Sequence, residues 1–385
     1  MPRVLLLTYE FAPFRGGVGR VAEGLAEGAV ACGLEPIVLA PDYHADQSAG
    51  DASRPYLVQR FSGAFCSIVS PRRVLRFAAL CRRAIRATAP DLVHGVDPPA
   101  QMALTALSRA RLTGRYILTV HGTELLRYAA EPLPHLWMRN GFGRADAIAC
   151  VSRHVLERLH RDFDVERART FVSHPGIAPA WHHTPRADRT AVRAHYDIPD
   201  DAFVAITIAR VVREKGQDRV LAALARAPEP LRRRAVYVVA GTGPDAYARE
   251  LDEAAQATGI RLVRTGAVAD DELIRLCDAA DVFTMLSRHT PKRLEGLGLT
   301  YLESGARGLP SIACDTGGVA EAVLPDRTGL LLPAGAPADQ VADAFARLAD
   351  DAPLRDRLGA GARAHAARFT YEGHARQVYG AAGLL

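Results

Sequence analysis

From Val4 to Tyr9 the chain is short and strongly apolar. Pro13 and two turn glycines, Gly16 and Gly17, follow, and Val18, Val21, Ala22, Leu25 and Ala29 then recur at helical spacing until Gly33. Pro36 to Ala40 resumes as a strand. Strand, helix and strand in this order open a βαβ unit, whose buried parallel strands read as continuous apolar runs and whose crossover is right-handed.

Further strands are expected at Leu92–Val93, Tyr116–Val120, Ala147–Val151 and Thr170–Val172, with helix-like segments between most of them. Together they describe one doubly wound domain. Between Ser173 and Arg186 the text changes to a Pro-, Gly- and His-rich stretch with neither periodicity, which places a linker there. The pattern then restarts: strands at Phe203–Ala209, Val236–Ala240, Arg261–Arg264, Asp281–Met285 and Ser311–Cys314, with helices at Gln217–Ala227 and Tyr247–Thr258. A length of 385 residues also exceeds a usual single core. The expected class is therefore α/β with two Rossmann-like doubly wound domains, 1–178 and 187–365, followed by a terminal segment, 366–385. Two such halves would make a cleft, and open α/β sheets bind ligands at the carboxyl ends of their strands.

Composition narrows the function. The 48 basic residues are nearly balanced by 43 acidic ones, giving a net charge of +5, and no basic block interleaved with aromatics stands out, so nucleic-acid binding is disfavoured. The six cysteines lack CxxC spacing and read as reduced core thiols. The apolar run at the N-terminus is too short for a signal peptide, and no later stretch would span a bilayer, so the cytoplasm is the expected location. His182, His183 and His195 lack metal-ligand spacing with a carboxylate, and neither a metal site nor a cofactor is expected.

The most informative run is Glu295-Gly-Leu-Gly-Leu-Thr-Tyr-Leu-Glu303. Its glycines followed by apolar residues predict a loop entering a helix near Gly298, with Glu295 before the first turn and Glu303 on the helix. At helical rise the two α-carbons would be roughly 12 Å apart along the axis, suited to two ends of one elongated ligand; an ordinary buried helix with two acids fits the spacing equally. Arg210 and Lys215-Gly216 follow the Phe203–Ala209 strand and lead into a helix, which makes either a diphosphate clamp or a solvated basic loop. Gly16 and Gly17 would let backbone amides approach a phosphate or sugar, or form a plain turn. His121, at the end of the Tyr116–Val120 strand, is either a ligand contact or a structural hydrogen bonder, and His94 has a similar but weaker position. The Thr316-Gly317-Gly318 turn carries the same two readings as Gly16-Gly17. The segment Arg72 to Arg86 is a solvated helix face or a peripheral membrane contact. A full dinucleotide fingerprint and a GxxxxGK[ST] loop are both missing, which removes the usual support for nicotinamide or Walker-type binding.

In series, Gly16-Gly17, His121-Gly122, Arg210 with Lys215-Gly216, Gly241-Thr-Gly243, Ser287-Arg288, Glu295, Glu303, Gly308-Leu-Pro310, Gly317-Gly318 and Asp326-Arg-Thr-Gly329 resemble the retaining glycosyltransferases of GT-B fold, family 4. The resemblance covers nearly the whole chain. It implies transfer of a hexosyl-type sugar from a UDP- or GDP-sugar to a small-molecule or lipid acceptor, without a metal and by attack on the face the leaving group departs from. It further implies that Arg210 and Lys215 hold the diphosphate, Glu303 the ribose, and Glu295, with Gly296, Leu297, Gly298 and Leu299 beside it, the donor sugar. His121 would hold a donor hydroxyl, Val268 would lie against the base, and the helix near Tyr371 to Ala382 would cross back to the first domain. The chain departs from the family at the five residues His289 to Arg293, longer than in many members, at Leu297, where Phe is common, and at Ser304 and Arg307. A nucleotide-sugar 2-epimerase of the same fold and a non-catalytic nucleotide-sugar-binding or membrane-peripheral module are the rival readings. Acceptor-lining candidates are Glu10, Asp97 and Glu124, and the oligomeric state is left open.

Overall fold

The computed structural model describes residues 1–14, 16–63, 70–291 and 293–385. The chain divides into two compact units, Met1–Ala178 together with Phe369–Leu385, and Pro179–Arg368. Each is a parallel sheet flanked by helices.

In the first unit the strands are β1 (Arg3–Leu7), β2 (Glu35–Pro41), β3 (Leu57–Phe61), β4 (Leu92–Gly95), β5 (Tyr116–Val120), β6 (Ala147–Cys150) and β7 (Thr170–Val172), in the order β3-β2-β1-β4-β5-β6-β7. Leu5 of β1 pairs with Ile37 on one side and Val93 on the other. The central strands β4, β5 and β6 are buried along their length, as their apolar runs require. Strand order reverses between β1 and β4, so the carboxyl ends of these two strands bound the position where such sheets bind ligands.

The second unit repeats the design with β8 (Phe203–Ile208), β9 (Ala235–Ala240), β10 (Arg261–Gly266), β11 (Val282–Met285), β12 (Ser311–Cys314) and β13 (Gly329–Leu332), in the order β10-β9-β8-β11-β12-β13. Its reversal lies between β8 and β11. The core on one face packs Phe203, Ala205, Tyr237, Val239 and Ile312 against Leu221, Leu224, Leu251 and Phe345, all buried.

The chain's last helix, Tyr371–Ala381, lies in the first unit and packs on its first helix, Gly17–Ala31. Glycine makes the approach possible. A β-carbon at Gly28 would lie 2.1 Å from the Tyr371 carbonyl oxygen, and one at Gly24 would lie 2.5 Å from the Tyr371 ring.

Two strands, β3 and β13, carry no expectation from sequence, and the linker region is more ordered than its composition suggests. Pro179–His183 is a short helix whose Trp181 is fully buried. Arg307 explains that order: its buried guanidinium donates to the carbonyls of Trp181, Thr184 and Pro185 and pairs with Asp278 at 2.7 Å. The departure at Arg307 is thus a staple for the segment entering this unit. Cys81, Cys150, Cys277 and Cys314 are buried free thiols and Cys32 is partly buried; Cys66 lies outside the described residues. No described helix is long and apolar enough to cross a membrane.

Candidate active site

The carboxyl edge of the second sheet gathers most of the residues singled out from sequence. Strand β8 ends at Ile208, and Arg210 emerges two positions later, exposed, its guanidinium without a hydrogen bond or ion pair among the described residues. Its backbone is fixed from below: the Arg210 carbonyl accepts from Gln217 Nε2 at 2.9 Å, and Val211 N–H donates to the Thr242 carbonyl at 2.8 Å. The Gly241-Thr-Gly243 turn is glycine-bearing for the same reason. A β-carbon at Gly241, which has φ +145°, would sit 2.0 Å from the Ala209 carbonyl, and one at Gly243 would sit 1.8 Å from that of Val211.

Arg213–Lys215 forms a single 3₁₀ turn, and the helix Gln217–Leu224 starts after Gly216. Gly216 is left-handed at φ +74° and presses on the Leu286 carbonyl, so no side chain fits there. This places Lys215 beside the loop that leaves β11, where its Nζ donates to Glu295 Oε2 at 2.6 Å. The same oxygen accepts from Ser287 Oγ at 3.0 Å. Lys215 and Glu295 thus arise from the two strands that flank the topological reversal and meet at its crest.

Glu295 is held as firmly by its main chain. Its carbonyl accepts the Gly318 N–H at 2.9 Å, and a β-carbon at Gly317, φ +61°, would lie 2.1 Å from that carbonyl. The glycines of the Thr316-Gly317-Gly318 turn are therefore required by packing against Glu295. Beyond it, Gly298 takes φ +85° and caps the helix Leu299–Ala306, so Glu295 precedes the first turn while Glu303 is on the helix, 3 % exposed. Leu297 is buried, and Val268 follows β10 half-buried.

A second layer was not legible from sequence. Asp218 receives Arg288 through both guanidinium nitrogens, at 2.8 and 2.7 Å, and Tyr247 Oη donates to it at 2.8 Å. Burial opposes ionisation of Asp218, yet the hydrogen bonds from Arg288 and Tyr247 outweigh it and hold the carboxyl below its ordinary range. Arg288 also donates its backbone N–H to the Glu214 carbonyl at 2.8 Å. The turn that carries Lys215 and the strand end that carries Ser287 are thereby tied together. Within the longer loop, Thr290 and Arg293 pair as a small antiparallel bridge, and Arg293 reaches Glu214 at 3.3 Å; Lys292 lies outside the described residues.

The first unit's crest is different. Gly16 caps the helix Gly17–Ala31, but the space beside it is taken: a β-carbon at Gly16 would lie 1.7 Å from Glu10 Oε1, and that oxygen accepts the Gly19 N–H at 3.0 Å. The protein's own Glu10 carboxylate thus occupies the Gly16 side of this helix N-terminus. Gly17 is exposed with open space around it. Asp97 is buried and serves as the cap of the helix Pro98–Arg109, accepting from Ala100 N–H, Thr8 Oγ1, Tyr9 N–H and Glu10 N–H. Asp97 is 2 % exposed. Glu124, 3 % exposed, accepts the His121 N–H at 2.6 Å, and His121 Nε2 donates to the Val96 carbonyl at 2.8 Å. His94 is fully buried between Thr119 Oγ1 at 2.8 Å and Tyr379 Oη at 3.2 Å; burial, aided by His374 and His121, pushes it down to about 3 and keeps it neutral. Its role is structural. The helix Pro71–Thr88 exposes Arg72, Arg73, Arg76, Arg82, Arg83 and Arg86 together with Leu75.

Comparison with known proteins bears on both units. Residues 188–365 match the family described as glycosyl transferases group 1, and residues 15–181 match glycosyltransferase family 4. A GDP-mannose-dependent alpha-(1-6)-phosphatidylinositol monomannoside mannosyltransferase of Mycobacterium tuberculosis is 31% identical over 382 residues, covering 94% of this chain and 93% of its own. A D-inositol 3-phosphate glycosyltransferase of a Nocardioides species is 32% identical over 249 residues, 60% of this chain and 52% of its own. Among solved structures, HepE of Anabaena in complex with UDP and glucose superposes with a TM-score of 0.81 at 19% identity, over 100% of both chains. WaaG, a glycosyltransferase involved in lipopolysaccharide biosynthesis, gives 0.75 at 19% identity over 98% of this chain and 100% of its own.

Proposed function

This chain belongs to the family-4 glycosyltransferases, with a GT-B fold and a group 1 C-terminal half, and from that premise we propose that it transfers mannose from GDP-mannose to an inositol-bearing lipid with retention of anomeric configuration. The observation that carries the reading is the meeting of Lys215 and Glu295 at the reversal of the second sheet, beside the unpaired Arg210. A lysine for a diphosphate and a carboxylate for sugar hydroxyls meet where an open α/β sheet binds its ligand, and Arg210 leaves the same strand end as Lys215. Similarity to the mycobacterial mannosyltransferase over 94% of the chain supports the choice of GDP-mannose and of a lipid acceptor.

In this reading the bond from the sugar's anomeric carbon to the diphosphate breaks, and negative charge grows on the departing phosphate. Arg210 and Lys215 stabilise that charge from positions fixed before reaction, so no reorganisation is needed when it develops. Lys215 exchanges its Glu295 contact for the phosphate, which frees Glu295 Oε2 to accept from sugar hydroxyls. The acceptor hydroxyl bonds to the anomeric carbon on the face the phosphate leaves, and its proton passes to a leaving phosphate oxygen. Products are the mannoside and GDP. No carboxylate acts as nucleophile and no step is assigned to a metal. Glu303 holds the ribose, Val268 contacts the base, and His121 contacts a sugar hydroxyl.

The exposed arginine face of Pro71–Thr88 fits the same acceptor. Basic side chains near an anionic bilayer contribute about 1 kcal/mol each, and Leu75, 64% exposed, adds apolar contact. The test is GDP release from GDP-mannose in the presence of vesicles carrying phosphatidylinositol monomannoside, with the product's anomeric configuration read by NMR. Acceptor-dependent release with an α-linked product supports the reading. Release that ignores the acceptor lipid, or a β-linked product, overturns it.

A further inference from the structure

The surroundings of His121 fix more than its position. Its Nε2 lies 2.8 Å from the Val96 carbonyl, and a carbonyl oxygen only accepts. Nε2 therefore carries the ring proton in the neutral imidazole, and Nδ1 is left as a bare acceptor. Nδ1 has no hydrogen-bond partner among the described residues, and the residue is partly exposed.

What holds the ring on Val96 is a buried network behind it. Glu124 Oε1 accepts the His121 N–H at 2.6 Å and Gln101 Nε2 at 3.4 Å. Gln101 Nε2 also donates to the Thr119 carbonyl at 2.7 Å, and Gln101 Oε1 accepts from Tyr128 Oη at 3.2 Å. Gln101, Glu124 and Tyr128 are 0, 3 and 5 % exposed. Between His121 and the helix Thr123–Ala130, Gly122 takes φ +110°, a backbone bend open to glycine and sterically poor for other residues. A buried carboxylate spent on one main-chain N–H is an expensive way to make a turn, since its burial is compensated by only two donors among the described residues.

We propose that Glu124 is the positioning residue for His121, and that with the Val96 carbonyl it holds the imidazole as the Nε2–H tautomer so that Nδ1 accepts a hydrogen bond from a ligand hydroxyl. The inference rests on the reading that His121 touches the sugar, and it sharpens that reading. A bare nitrogen recognises an O–H donor and rejects a phosphate oxygen, which has only lone pairs to offer. In its neutral form His121 is thereby a hydroxyl reader.

The ring nitrogens of His121 report on this directly in ¹⁵N-labelled protein above neutral pH, with the signal assigned by its loss in His121→Asn. The expected spectrum has protonated Nε2 and unprotonated Nδ1, and GDP-mannose shifts the Nδ1 resonance. Glu124→Ala releases the turn, mixes the tautomers and lowers kcat for GDP-mannose roughly tenfold, as losing one well-placed hydrogen bond would, while KM changes less. Glu124→Gln keeps an oxygen acceptor and restores both the spectrum and kcat. A protonated Nδ1 in the unmodified protein overturns the proposal, as does a Glu124→Ala variant with wild-type tautomer and turnover. Because the tautomer is read without substrate, it decides the Nδ1 acceptor even if GDP-mannose proves to be the wrong donor. An Nε2–H tautomer combined with full turnover in His121→Asn overturns the recognition role alone and leaves the donor assignment standing.

Discussion

Two sheets of the same topology present opposite kinds of crest. In the second unit the strand ends flanking the reversal carry an arginine unpaired among the described residues, and a lysine and a glutamate paired with each other. In the first unit the two strand ends flanking the reversal carry carboxylates satisfied by the protein itself, Asp97 by three backbone N–H groups and the Thr8 hydroxyl and Glu10 by the first helix, while Glu124, after the next strand, accepts the His121 N–H. The difference teaches that topology fixes where a ligand goes and side-chain satisfaction fixes which crest has charge to spare. The proposed reading uses the second crest for the diphosphate.

The largest effect is expected from breaking the second crest. Lys215→Ala removes a charge aimed at the leaving group and is predicted to lower kcat/KM for GDP-mannose by roughly 10²- to 10³-fold, about 3–4 kcal/mol of transition-state stabilisation. The folded state should lose about 1–3 kcal/mol in urea unfolding, since Glu295, 13% exposed, keeps the Ser287 hydroxyl but loses its charged partner. Full turnover in a folded Lys215→Ala protein would end the claim that spare charge on this crest does the chemistry.

The first unit should instead reveal itself in acid. His94 and His374 are buried neutral, each pushed down to about 3 by burial and then by neighbouring imidazoles, His374 and His121 for the former, His121 and His174 for the latter. Their folded values lie below the unfolded value near 6.5, so the unfolded chain binds protons first and stability falls as pH drops from about 6.5 towards 3. One pH unit below 6.5, the pair should cost about 3 kcal/mol. Among the described residues His374 has no hydrogen-bond partner on either ring nitrogen, so His374→Leu should remove about half of the pH dependence and stabilise the protein at neutral pH. Urea midpoints measured across this range, with and without the substitution, would show it; a flat profile in the unmodified protein would contradict the assignment.

How far all this was legible in the sequence follows from which signals are local. Both sheets, the Gly298 helix start and the positions of Arg210, Lys215, Glu295 and His121 at strand ends are written in short apolar runs and their punctuation. Strand β3 escaped because it is an edge strand whose Leu57 is 56% exposed and whose Gln59 and Arg60 interrupt the apolar run. The Asp218–Arg288–Tyr247 layer escaped because its members are 70 and 29 residues apart, and nothing in the local text marks an acid that will bind an arginine so distant. Gly16 was legible as a turn but not as a position already filled, since Glu10 lies six residues upstream and reaches it only through the fold. His94 and His121 look alike as strand-end histidines. Only packing separates them, with one sealed beneath Tyr379 and the other left with an open nitrogen.

The smallest effect tests how the first unit holds its terminal helix. At Gly28 an added methyl would lie 2.1 Å from the Tyr371 carbonyl oxygen and 2.6 Å from its carbon, both backbone atoms, so the Tyr371–Ala381 helix must shift. At Gly24 the obstacle is the Tyr371 ring at 2.5 Å, the end of a side chain that can rotate. Alanine gains about 1 kcal/mol over glycine in a helix interior, whereas overpacking costs about 1–3 kcal/mol. Gly28→Ala should therefore destabilise by about 1–2 kcal/mol in urea unfolding, and Gly24→Ala by less, close to neutral. If Gly28→Ala instead stabilises the protein, the helices are not held at glycine distance, and the first unit's closure by the chain's last helix needs another source.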